Sequence, residues 1–266
     1  MDYIIAILMG IAQGLTEFIP VSSTAHLRIL PELFERADFG AAFTAVIQIG
    51  TLLSLLVYFR RDIITLTKGF FISLLKRDFK NPDFMLSLYI IIGTIPIVIL
   101  GITFKKFIEN EFRSMSVIAT SLFVFAILLI ISEITGKKEK EMNSLSVKDA
   151  ILIGIAQAFA LIPGASRSGV TICMALFLGY KRETAARYSF LLSIPAVLGA
   201  GLFEVRDIIR GGNNFDTTTV IISTITSFIF GLIAIEFLLR FLVNHKVNIF
   251  AYYRILLGIL IFVFFV

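Results

Sequence analysis

The sequence predicts an all-α polytopic integral membrane protein, with about six transmembrane helices, re-entrant helical hairpins and two repeats of inverted topology. Three observations carry this expectation. The 266 residues are 58% hydrophobic and only 16% charged, with a mean hydropathy of +0.93. That is too little polar surface to cover a soluble domain of this size. Uncharged stretches recur at the length that crosses a bilayer, roughly 20 residues. Finally, two segments read alike: Gly10-Ile-Ala-Gln13-Gly-Leu-Thr-Glu17-Phe-Ile-Pro20-Val-Ser22-Ser23-Thr24-Ala-His26, and Gly154-Ile-Ala-Gln157-Ala-Phe-Ala-Leu-Ile-Pro163-Gly164-Ala-Ser166-Arg167-Ser168-Gly169-Val-Thr171. Gly154 stands 144 positions after Gly10, about half the chain.

The elements follow in order. Tyr3 to Thr16, Ala150 to Ser166 and Ser168 to Tyr180 are short apolar runs that end in Pro, Gly, Ser or charge. Broken segments of this kind suit re-entrant hairpins sheltered by protein. Ala41 to Phe59, Leu86 to Phe104, Ser114 to Ser132, Tyr188 to Phe203 and Thr217 to Ile235 are uncharged and long enough, or nearly so, to span. Ile255 to Val266 makes a sixth if Arg254 is accommodated and the helix begins near Asn248. Ala41-Ala42 through Phe59, then Arg61-Asp62, parallels Ala185-Ala186 through Phe203, then Arg206-Asp207. The chain is therefore read as one membrane domain over 1–266, with repeat one over about 1–140 and repeat two over about 141–266.

Charge fixes an expected orientation. Arg60 to Lys80 and Lys137 to Lys148 are basic stretches separated by two crossings, and the excess of Lys and Arg marks the cytoplasmic side. Glu204 to Asp216, with Gly211-Gly212-Asn213-Asn214 in its middle, is nearly balanced and reads as an outside loop. Equivalent loops on opposite sides mean inverted repeats, with both termini outside. Met1-Asp2-Tyr3 gives no basic n-region, so no cleaved signal peptide is expected. The single Cys173 excludes an internal disulfide. A net charge of +5 distributed between apolar runs is topology information and points to no nucleic acid.

Polar residues inside the broken segments carry the chemistry. Gln13 and Glu17 are four apart and share a helix face. A carboxylate in an apolar segment costs roughly 2.5–3.5 kcal/mol on insertion scales and usually has a partner or a task. Arg167 of the other repeat is the obvious counter-charge. Pro20 breaks the helix, and Ser22, Ser23 and Thr24 follow at the start of the next one, where free N–H groups and the positive dipole end favour anions. His26, one of two histidines, suits acid–base or nucleophilic work beside Glu17 and these hydroxyls. In the second segment Pro163 suits a first helical position and Gly164 a tight turn. Ser166, Ser168 and Thr171 supply hydroxyls, and Arg167 supplies a planar fork matched to phosphate oxygens. Glu17, Ser23, His26 and Arg167 should line one cavity.

These two motifs, with Ile47-Gln48-Ile-Gly50 and Tyr253-Arg254-Ile-Leu-Leu-Gly258, resemble the undecaprenyl-diphosphate phosphatase family of the bacitracin-resistance type. The resemblance covers nearly the whole chain; Ala25, where glycine is usual, and Arg28, in a normally apolar place, depart from it. It implies a phosphatase of the bacterial cytoplasmic membrane that removes the terminal phosphate of a C55 isoprenoid diphosphate, in contact with membrane lipids and compatible with a homodimer. It implies catalytic roles for Gln13, Glu17, Ser23 and His26, and phosphate binding by Ser166, Arg167 and Thr171. It also implies a divalent cation, Mg or Ca, with Glu17 acting as its ligand or as a base. Ser23 is the favoured nucleophile with His26 as its proton partner; attack by His26 is the other reading. The active site is expected to open to the outer face. A transporter or flippase of lipid-linked phosphates would share the inverted-repeat architecture. The two-histidine lipid phosphatases fit poorly, because His245 has no Ser-Arg motif before it.

Overall fold

The structure is a computed structural model that describes residues 3–36, 39–110, 114–211 and 216–266, with backbone only at 41, 42, 105–110 and 202–211. The chain is helical throughout: α1 Tyr3–Phe18, α2 Ser23–Leu33, α3 Gly40–Tyr58, α4 Arg60–Lys76, α5 Pro82–Asn110, α6 Met115–Thr135, α7 Val147–Ala158, α8 Arg167–Phe177, α9 Arg182–Gly211, α10 Thr217–Asn244 and α11 Asn248–Phe265. Among the described residues four helices, within α5, α6, α10 and α11, are long and apolar enough to cross a membrane. They become five if α3 and α4, bent by 72° at Phe59, form one broken span. This is a polytopic membrane fold.

The two similar segments fold alike. α1 stops at Phe18 because Pro20 follows, and α2 restarts at Ser23. α7 stops at Ala158, a 3-10 turn covers Phe159–Leu161, and α8 restarts at Arg167, 144 positions after Ser23. α2 and α8 are both 11 residues long. Pro163 lies in the turn before α8, so the expectation that it opens the helix is corrected: the N-cap is Ser166. Gly164, at φ +93°, makes that turn, and a Cβ there would meet the Ile118 carbonyl at 2.5 Å.

α1 packs along α10, and α7 packs along α5. Lipid tails are as apolar as leucine, so membrane helices associate through close backbone approach at small residues. A Cβ on Gly10 would lie 2.5 Å from the Ser223 carbonyl of α10, and one on Gly154 2.5 Å from the Gly93 carbonyl of α5. α2 lies beside the start of α6 and the end of α11, where Ala25 packs with Met115, Ile118, Ala119 and Ile261. α8 lies beside the other end of α6, where a Cβ on Gly136 would strike the Leu176 carbonyl at 2.2 Å.

Several expectations need correction. Arg60 to Lys80 is mostly helix rather than loop, because its charges are spaced around α4 with apolar residues between them. Glu204 to Gly211 is also helical, the end of α9; its side chains and the expected loop at Gly212 to Asn214 lie outside the described residues. Asp216 caps α10 by accepting from the Thr219 amide.

Opposite ends of the bundle differ in charge. At one end the Lys140–Lys181 backbone meets the 180 turn, with Glu139 and Lys140 amides donating to the Gly179 carbonyl at 2.9 Å. There Arg182 grips Glu133, and Tyr180 and Ser146 donate to Asp149 at 2.8 and 2.7 Å. Arg187 pairs with Asp62 there, so α4 and α9 begin at this same end.

Close approach makes a packing prediction. Gly154→Val should destabilise the protein by about 1–3 kcal/mol through overpacking against Gly93. Gly199→Ala should leave stability unchanged or slightly raised, since nothing lies within 4 Å of its Cβ position. Thermal unfolding in detergent of the two variants beside the parent reads the contrast, and equal midpoints would refute it.

Candidate functional site

The two helix restarts face each other. Ser22, at φ 75° and ψ 100°, is the N-cap of α2, and Ser166, at φ 69° and ψ 112°, is the N-cap of α8. Each hydroxyl accepts from the amide three residues on, Ala25 at 3.4 Å and Gly169 at 3.3 Å. Non-glycine residues in such sparsely populated backbone regions cost of order 1–3 kcal/mol each and persist only where the surroundings fix them. The strain aims the next side chain, Ser23 in one turn and Arg167 in the other, into the space between.

Glu17 sits at the centre. Its Oε1 accepts from Arg167 Nη2 at 3.0 Å and from Gln48 Nε2 at 2.8 Å. Its Oε2 accepts from Ser23 Oγ at 2.7 Å and from Gln13 Nε2 at 3.1 Å. Four donors on one carboxylate, one of them charged, are what a carboxylate in an apolar bundle requires. The pair is well shielded, with 7% of the Glu17 and 12% of the Arg167 side chain exposed. Arg167 Nη1 also donates to the Ser193 carbonyl of α9 at 3.3 Å.

A cavity of about 240 Å³ opens beside this pair. Its polar wall is Glu17, Ser22, Ser23, Thr24, Gln48, Gly164, Ser166 and Arg167. Its apolar wall is Ile97 of α5, the Ala160–Ile162 turn, and Ala196, Val197 and Ala200 of α9. Both helices carry an internal proline beside that wall, Pro96 and Pro195. Next to the lining residues in sequence, Leu198, Val98 and Ile99 are exposed on the bundle surface. A polar head and an apolar tail could lie in this space together.

Other expected residues stand behind the cavity. Gln13 is buried, with its Oε1 unpartnered and its Nε2 also 3.4 Å from Thr51 Oγ1. Ser168 lies 3.2 Å from the Ser166 hydroxyl. Thr171 Oγ1 donates to the Arg167 carbonyl at 2.8 Å and meets Ser189 Oγ at 2.6 Å, so it holds α8 to α9 rather than facing the cavity. His26 is one turn along α2 and is not on the cavity wall. Its Nδ1 lies 2.7 Å from the Ser22 carbonyl and its Nε2 2.7 Å from the Tyr253 hydroxyl. The hydrogen-bond partner of Ser23 is thus Glu17, and that of His26 is Tyr253.

The sequence alone assigned no role to four participants: Gln48, Tyr253 and Arg254, quoted only for the resemblance, and Thr51. Gln48 and Thr51 are polar positions in the largely apolar α3, a signal that was available. Tyr253 and Arg254 lie in the second turn of α11, and their contacts with the first motif lie 227 and 234 positions away, beyond any local pattern.

The donor set also bears on a metal. Among the described residues no group of three His, Cys, Asp or Glu side chains comes together. Glu17, on the cavity wall, nevertheless offers a carboxylate oxygen to a cation that takes its remaining ligands from phosphate and water, the usual habit of Mg²⁺.

The geometry fixes the tautomer of a neutral His26. A carbonyl cannot donate, so neutral His26 carries its proton on Nδ1, and Nε2 accepts from Tyr253. ¹⁵N spectra of histidine-labelled protein should show His26 as the Nδ1-H tautomer, with His245 assigned by a His245→Asn variant. An Nε2-H tautomer would contradict this placement.

Comparison with known proteins completes the picture. Residues 6–260 match the sequence model of a family described as bacitracin resistance protein BacA. A Nocardioides protein named undecaprenyl-diphosphatase is 48% identical over 258 residues, 97% of this chain and 94% of its own length. One of the same name from Myxococcus xanthus is 48% identical over 99% of this chain and 89% of its own. Another from Chloroherpeton thalassium is 47% identical over 97% and 95%. A broken-helix membrane fold, a shielded Glu17–Arg167 pair and near-complete coverage by such relatives lead to one conclusion: this chain belongs to the BacA bacitracin resistance protein family.

Proposed function

We propose that this chain hydrolyses undecaprenyl diphosphate to undecaprenyl phosphate and inorganic phosphate, and so recycles the lipid carrier of cell-wall synthesis. The observation that carries the chemistry is that Ser23 Oγ and Arg167 Nη2 bond to opposite oxygens of one carboxylate, Glu17, at the wall of a cavity that is polar on one side and apolar on the other. Arg167, the α2 and α8 N-termini and the hydroxyls of Ser22, Thr24 and Ser166 hold the diphosphate. Ser168 and Thr171 steady the α8 end, and the isoprenoid tail leaves along Ile97, Ala196 and Ala200.

The incoming diphosphate competes with Glu17 for Arg167. As the guanidinium turns to phosphate, Glu17 loses its cation and becomes a stronger base. Ser23 Oγ then bonds to the terminal phosphorus as the bridging P–O bond to the lipid phosphate breaks. The Ser23 proton passes to Glu17 Oε2 and on to the departing lipid phosphate. Water then cleaves the phosphoserine, freeing Ser23 and inorganic phosphate. Glu17 replaces His26 in the proton-accepting role, while His26 and Gln13 hold the α2 start and the carboxylate in place. A divalent cation, Mg or Ca, would take Glu17 as its protein ligand and neutralise phosphate charge.

The decisive measurement is phosphate release from C55 diphosphate by purified protein in detergent, where transport has no sides to work between. Wild type should turn over. Glu17→Gln and Ser23→Ala should be inactive, and Gln13→Ala reduced but active. Arg167→Lys should lose at least about tenfold, since it keeps charge but not the fork and each charge-assisted bond is worth roughly 1.5–3 kcal/mol. Folded, fully active Ser23→Ala with a trapped phosphohistidine would hand the attack to His26.

We further infer one domain made of two inverted repeats, about 1–140 and 141–266, in the bacterial cytoplasmic membrane. Support comes from the equal lengths of α2 and α8, the reciprocal packing of α1 on α10 and α7 on α5, and the seating of α2 and α8 at opposite ends of α6. The end rich in Lys and Arg is cytoplasmic, both termini are outside, and the cavity opens outward. In a Cys173→Ala background an impermeant thiol reagent should label Glu35→Cys on intact cells, and Lys80→Cys and Lys181→Cys only after permeabilisation. Labelling of Glu35→Cys and Lys181→Cys from one side would end the inverted arrangement.

A further inference from the structure

Arg254 is the largest fully buried side chain among the described residues, with 0% exposure. It lies in the apolar α11 and makes no ion pair there; its fork reaches three backbone carbonyls instead. Nε donates to Leu122 in the middle of α6 at 3.4 Å, Nη1 to Pro20 at 3.4 Å and Nη2 to Gly164 at 2.9 Å. Pro20 and Gly164 are equivalent positions, two residues before the strained caps Ser22 and Ser166. Gly169 makes room for the guanidinium, since a Cβ there would lie 2.9 Å from Nη1.

We propose that Arg254 is a positioning residue that ties the two turns to each other and to α6, and so sets the distance between the Ser23 nucleophile and the Arg167 phosphate grip. Each turn contributes only half of the reacting constellation; the Glu17–Arg167 pair joins the two side chains across the cavity, and Arg254 joins the two backbones behind them. A planar cation with donors spread over three nitrogens can hold carbonyls from three separated segments in a fixed geometry, whereas an ammonium gathers its donors on one nitrogen at the end of a flexible stem. The adjacent Tyr253 adds a second hold on the first turn through His26. This inference rests on the phosphatase reading for its catalytic consequence, not for the tie itself.

Two measurements on Arg254→Lys and Arg254→Met test it. Hydrogen–deuterium exchange should rise together in residues 19–27 and 163–171, though they are far apart in sequence. Phosphate release from C55 diphosphate should show kcat lower by about 100-fold, the scale of an ångström misplacement of reacting groups, with KM nearly unchanged. A purely structural role would lower the folded yield and leave kcat per folded molecule intact; that result, or a rise in exchange confined to one turn, overturns the proposal. If the Arg254 variants do not fold, Gly169→Ala, which crowds Nη1 and leaves Arg254 present, should give the same paired exchange and kcat loss, and normal behaviour there overturns it. Failure of the wild type to release phosphate would remove the phosphatase reading, while the exchange measurement would still decide the tie.

Discussion

The structure is organised around a single ion pair, Glu17 with Arg167, drawn from positions 150 residues apart. Taking two charges out of water costs several kcal/mol per ion, and their attraction offsets this only with good geometry and further hydrogen bonds. The chain supplies those bonds through Gln13, Gln48 and Ser23 on the carboxylate and the Ser193 carbonyl on the guanidinium. The demand explains the broken helices. An unbroken α1 would carry the chain away beyond Glu17 and leave no free N–H group facing the carboxylate's surroundings. Stopping at Phe18 and restarting at Ser23 brings the Ser23 hydroxyl and the positive end of a new helix to the same spot.

Broken helices expose backbone groups that lipid cannot satisfy. Capping by Ser22 and Ser166 and the guanidinium of Arg254 satisfy several of them from within. That requires helices to approach almost backbone to backbone, which is why glycine recurs at the contacts. Gly10 and Gly14 of α1 and Gly50 of α3 grip the Ser223–Ser227–Gly231 face of α10 from two sides. The charged end adds a different kind of restraint. Arg182 on Glu133 and Tyr180 on Asp149 tie the α7–α8 hairpin to α6 and α9 through buried carboxylates.

Much of this was legible because the relevant signals are local. Pro20 and Pro163 announce the breaks, and Glu17 and Arg167 stand out as charges in apolar runs. The 144-residue offset aligned Ser22 with Ser166 before their backbones showed the same positive φ. What was illegible is of two kinds. The basic α4 was mistaken for loop because charge counting ignores period; its lysines and arginines lie on an exposed face of a helix whose Ser73 is buried. The partner of His26 and the role of Arg254 depend on α11 returning from the far end of the sequence, and no pattern within either motif records that. Proximity along the chain made His26 look like the partner of Ser23, yet one helical turn was enough to aim it at Tyr253.

The proposed duplication also explains why one site results instead of two. At the residue after each cap the copies differ: Ser23 in one, Arg167 in the other. Glu17 is matched by Leu161 and His26 by Val170. Gln13 turns to a carboxylate, whereas Gln157 turns to the Gly93 carbonyl. The scaffold keeps the same strained cap and helix start twice, and each start favours an anion. In the proposed mechanism nucleophile and base reside in one copy and the fixed cation in the other, so that a diphosphate between them is held from both sides and neither half alone both binds and attacks it.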